Sequence, residues 1–129
     1  MTDLLEQGAA WLDEQRHQHL TRQVTYVRGA ASVDVQATVG QTTFRLDGAY
    51  GSTVRYVSRD FLIRTQDLVI DGEQTLPQRG DCIREEVSGI VYVHEVMGPP
   101  SDEPDWRYSD PQRKVLRIHT KQIDQEPAS

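Results

Sequence analysis

The sequence predicts a mainly β protein, a small antiparallel barrel or sandwich preceded by one amphipathic helix. Three observations carry that reading. Between residues 21 and 123 apolar residues recur with a period of two, in runs of strand length. Turn pairs such as Asp71-Gly72 and Ser88-Gly89 separate those runs. Residues 3–18 alone show apolar spacings of three and four. The 129 residues suffice for one domain with a single modest core.

The helix over 3–18 gathers Leu4, Leu5, Trp11 and Leu12 into one stripe, and Asp3 with Glu6 has capping-box spacing. A helix of this length is marginal alone in water, so the stripe predicts burial on the body or on a neighbour. Val24 and Tyr26 then open the period-two pattern. Val33, Val35, Ala37 and Val39 alternate with Asp34, Gln36 and Thr38, the mark of a strand with one buried face. Gly40-Gln41 reads as a turn toward the short TTFRL segment. The stretch FRLDGAYGS, with Phe44, Asp47 and Tyr50, reads as a mobile loop before the long strand TVRYVSRDFLI. LPQRGD (76–81) leads into CIREEV, and Ser88-Gly89 folds residues 82–97 into a hairpin. GPPSDEP (98–104) is a proline-rich loop unable to pair in a sheet. VLRIHTKQI closes the β region, and residues 124–129 read as a polar tail.

Net charge is −6, unevenly spread. Arg107, Arg113, Lys114, Arg117 and Lys121 face one acid, Asp110, which leaves 9 basic and 19 acidic residues elsewhere. So acidic a body argues against general binding of phosphate backbones, which takes clustered cations. A basic patch upon it suggests a protein partner reached by charge complementarity. The acidic N-terminus lacks the pattern of a secretory signal, and no run reaches membrane-spanning length, so a cytosolic chain is expected.

Catalytic and metal chemistry find little support. His17 and His19 are two apart on a helix and cannot share a ligand face. His94 and His119 read as structural histidines, and Cys82 as a half-buried strand thiol. Nucleophile elbows and phosphate loops are missing from the sequence. Glu85-Glu86 and Asp102-Glu103 read as solvated charge. The expectation is therefore no catalytic residue, no metal and no cofactor. A small barrel that binds nucleic acid through Trp106, Tyr108 and the nearby cations is the alternative.

In VLRIHTK, Leu116 and Ile118 share one side of a strand and should be core. Arg117, His119 and Lys121 share the other, predicted to be an outward basic stripe extended by Arg113 and Lys114. Trp106 and Tyr108 should pack over the barrel end and fix its position. The stripe is expected to dock on an acidic surface.

At SRDFLI, LPQRGD and DWRYSDPQRKVLRIHTKQI the chain resembles the small head–tail joining proteins of tailed bacteriophages and prophages, of the neck or stopper type. The resemblance runs from about Val24 to Ile123 and is best in the final twenty residues. Cys82 departs from it, standing where a polar or basic residue is expected after Gly-Asp. The resemblance implies a β-barrel without catalytic activity. Its copies would form a homo-oligomeric ring between the portal or adaptor and the tail-side neck protein, with double-stranded DNA passing through without sequence-specific binding. It also implies synthesis in the bacterial host cytoplasm, a final place in the virion neck, and no membrane. The stripe's acidic partner would then be the adjacent subunit or the next neck protein. The FRLDGAYGS loop would become ordered, or line the channel, in the ring.

Overall fold

The computed structural model describes residues 21–128. The helix expected over 3–18, with Leu4, Leu5, Trp11 and Leu12, lies outside the described residues. Nine strands follow: β1 Arg22–Arg28, β2 Ala31–Asp47, β3 Thr53–Arg64, β4 Val69–Ile70, β5 Glu73–Gln74, β6 Cys82–Val87, β7 Ile90–Val96, β8 Trp106–Tyr108 and β9 Val115–Pro127. Every pairing is antiparallel. Seven strands form one sheet in the order β3-β2-β1-β6-β7-β9-β8, and β9 also pairs with β3. The short β4 and β5 form a separate pair.

The two longest elements explain the curvature. Residues 31–37 of β2 pair with β1, whereas residues 37–47 pair with β3, so Ala37 is the shared point. In the same way β9 gives residues 115–120 to β3 and 120–127 to β7, changing partner at Thr120. A strand's right-handed twist rotates its two halves toward different neighbours. The result is a curled antiparallel sheet with shared long strands: the mainly β, antiparallel character expected is present, but a closed barrel is not.

Two further expectations are corrected. Gly40-Gln41 is no turn, because Gly40 pairs with Asp60 inside a 17-residue β2. Residues 124–127 are not tail but strand, paired with residues 90–93 of β7.

Alternation along the strands builds the core. Val24, Tyr26, Val35, Ala37, Phe61, Ile63, Ile83, Val96, Leu116 and Ile118 turn inward, and Leu68 and Ile70 close one end. Val33 and Val39, at the ends of their alternating run, are only partly buried against that cluster. Asp71-Gly72 and Ser88-Gly89 make two-residue turns with both φ values positive, at 53° and 82° and at 52° and 82°. That is the I′ geometry whose twist matches antiparallel strands.

Candidate functional site

The final motif folds as a rigid corner. Asp110 accepts hydrogen bonds from the backbone N–H groups of Lys114 and Val115, each at 2.9 Å, and Arg113 takes a φ of 59°. Ser109 N–H donates to the carbonyl of Val115 across the turn. Trp106 and Tyr108 lie edge to face at 5.2 Å, half-buried against the core and in register with Ile118 and Leu116. The Arg113 guanidinium lies 5.6 Å from the centre of the Tyr108 ring. Asp105 ties this corner to the LPQRGD turn, accepting from Arg79 at 3.0 Å and from the N–H of Gly98 at 2.7 Å. Arg107, Arg113 and Lys114 remain exposed.

Arg117 and His119 of the predicted stripe are not outward. Leu116 and Ile118 are fully buried as expected, but so is His119, and Arg117 is four-fifths buried. Both meet Asp60, a buried carboxylate within β3, paired with Gly40 on one side and His119 on the other. It accepts from His119 Nδ1 at 2.9 Å, Arg117 Nη1 at 2.7 Å and Ser58 Oγ at 2.6 Å, and also from the Thr42 hydroxyl. Burial acts to raise the Asp60 pKa, but these bonds outweigh it and hold the group at about 2. Phe44 covers the site, its ring edge to face with His119 at 5.1 Å. Of the stripe, Lys121 stays in solvent, opposite Glu95 of β7.

Phe44 and Asp47 do not lie in a loop, whereas Tyr50 does, in the short connection 48–52 between β2 and β3. Phe44 faces Tyr56 and Asp47 faces Thr53 in the β2–β3 ladder, so residues 43–47 and 53–57 make a hairpin arm. Within the arm each strand pairs only with the other, because β9 takes β3 from Arg59 onward. At the tip Gly48 N–H donates to the Ser52 carbonyl at 2.6 Å, and Tyr50 is wholly exposed with a φ of 60°. Val54 and Val57 are more than half exposed.

Other charged groups are spent internally. Glu85, read as solvated, is buried and accepts from Arg22 and Arg59, each at 2.8 Å. His94 Nε2 lies 3.2 Å from the same carboxylate. Burial acts to raise the Glu85 pKa, but the Arg59 bonds outweigh it and lower it, whereas burial lowers that of His94. Asp81 of LPQRGD accepts from Tyr26, from Arg28 at 2.9 Å and from the Gln78 N–H at 2.9 Å. Burial, followed by Glu95 and Asp81, pushes the half-buried Cys82 thiol up, away from its reactive form. Among the described residues no three His, Cys, Asp or Glu side chains converge on a metal position, and no helix is long and apolar enough to cross a membrane.

Sequence reasoning missed Asp60, Glu85 and Asp81 as organising groups. The signal for Asp60 was a lone acid before the apolar run FLI, and for Asp81 an acid after a turn glycine; Glu85, beside Glu86, gave none.

His94, His119 and the buried acids Asp60 and Glu85 are thus absorbed into internal ion pairs. The sequence model of a family described as phage head-tail joining protein matches residues 2–127, and the chain belongs to that family. No curated protein matches it. The family is structural, not enzymatic, and its role implies a place in the virion neck in contact with head and tail components.

Proposed function

We propose that the chain is a ring-forming neck subunit that joins a DNA-filled head to a tail. Copies form a homo-oligomer between the portal or adaptor and the tail-side neck protein, and double-stranded DNA passes through the centre without sequence-specific binding. The observation that carries this reading is the β2–β3 arm. Its strands pair only with each other, and it holds Tyr50 and Val54 in solvent, apolar surface that a neighbour would cover. Phe44 anchors the arm's root on the body, and Asp47 and Tyr50 at its far end face the channel. The exposed cations Arg107, Arg113 and Lys114, set by Asp110 and the Trp106–Tyr108 pair, dock on an acidic surface of the adjacent subunit or the next neck protein. Lys121 extends that surface, while Arg117 and His119 support it from beneath.

Deletion of the chain from a producing prophage tests the proposal. Filled heads and separate tails should accumulate, and purified protein should restore joined particles on addition. Joined, infectious particles made without it would overturn the reading. The variant carrying Arg113→Glu and Lys114→Glu should fold and still fail to restore joining.

A further inference from the structure

The β2–β3 arm carries a rung of like charge. Arg45 and Arg55 stand directly opposite one another in the ladder, both exposed and neither ion-paired among the described residues. Facing side chains in an antiparallel ladder sit about 4.5–5.5 Å apart at Cβ, where like charges repel. An anion held between the two guanidinium groups would relieve such a rung.

Alternation places Thr43 and Thr53 on the same face, so hydroxyl donors flank the two guanidinium forks. Asp47 is the one acid of that face within the arm. Phe44 and Tyr56 belong to the opposite face, where Phe44 contacts His119. The cationic face therefore has no aromatic ring to stack on a base. Val57 is its one large apolar side chain, so a protein partner would find little to bury there. Phosphates need no apolar anchor, and planar guanidinium groups bind them in bidentate fashion.

We propose that the Arg45–Arg55 rung contacts the phosphate backbone of double-stranded DNA, independently of sequence. The proposal rests on the neck reading above and adds to it a surface that meets the passing duplex. It is compatible with the acidic total because the contact is local and polyanion-directed.

The test is fluorescence anisotropy of the intact chain with a mixed-sequence duplex, from 20 to 200 mM salt. Wild type should bind at low salt and weaken steeply as salt rises. Arg45→Gln with Arg55→Gln should weaken binding at least tenfold at the lowest salt. Two lost phosphate contacts should also reduce the slope of log K against log salt by about 1.8. Arg84→Gln, on β6 with its guanidinium paired to Glu126, should leave both quantities unchanged. No wild-type binding at 20 mM salt, or equal binding by the double variant, overturns the proposal. So does polyglutamate competing as strongly as DNA at equal charge, which would indicate an acidic protein partner. Joining of heads to tails without the chain would sink the neck reading instead, leaving the DNA titration to decide the rung by itself.

Discussion

His119 Nδ1 donates to the Asp60 carboxylate at 2.9 Å across the β3–β9 ladder, with both side chains buried. That bond joins the root of the arm to the strand bearing the basic corner. Arg117 reinforces it from the neighbouring rung, and Gly40 leaves room for the guanidinium, because a Cβ there would lie 3.4 Å from Arg117 Nη1. Asp60→Ala would leave two buried cationic or donor groups without their acceptor. It should cost about 3–5 kcal/mol, measured by chemical denaturation at neutral pH. A loss under 1 kcal/mol would show that the cluster is dispensable.

Acid should reveal the same group. Asp60 is held at about 2, below the ordinary 3.8, so the unfolded chain takes up its proton first. The stabilisation is complete above the unfolded value and disappears as pH falls through about 2. It amounts to about 2 kcal/mol. The stability gap between wild type and Asp60→Asn should therefore be clearly smaller at pH 2.5 than at pH 5 in denaturation experiments. Parallel losses in the two proteins would contradict the assignment.

A second pH window belongs to His94. Burial lowers its pKa below the ordinary 6.5, an effect that the adjacent Glu85 opposes without cancelling. The unfolded chain again binds the proton more readily, so stability declines as pH falls from above 6.5 toward the lowered folded value. Thermal melts at pH 7.5 and 5.5 should show a larger drop for wild type than for His94→Gln. An equal drop would assign the change to other groups.

Tyr26 spends its hydroxyl on Asp81 at full burial, and burial, with Asp81 second, raises its pKa so that it stays protonated. Tyr26→Phe preserves the ring and removes one hydrogen bond to a charged acceptor. It should cost about 1.5–3 kcal/mol. Unchanged stability in urea would mean that Arg28 and the Gln78 N–H satisfy Asp81 without it.

Position in the strand decides what a charge reversal does. Arg117→Glu would set a second carboxylate against buried Asp60 and should sharply lower the melting temperature. Lys114→Glu alters an exposed side chain, and its effect on stability should stay within about 0.5 kcal/mol. Similar melting temperatures for the two variants would contradict the burial of Arg117.

The sequence alone determined the β class, the 82–97 hairpin and the inward faces, since strand geometry makes side chains alternate and turn residues permit positive φ. Leu116 with Ile118, and Ser88-Gly89, were legible for that reason. It also carried the family, through the ordered motifs of the last strand. Period two says which residues share a face, but not whether that face is covered. Arg117, His119 and Lys121 share one, yet the first two are buried because Thr42 and Phe44, some 75 residues earlier, lie over them. Glu85 sits beside solvated Glu86 and is buried because Arg22 and Arg59 arrive from β1 and β3. The β2 half of the arm likewise read as a loop, because its glycines and tyrosine mark a turn while the register of the two strands is set only by their pairing. Tertiary structure decided these cases, since covering a face and pairing a charge depend on contacts between residues far apart in the chain.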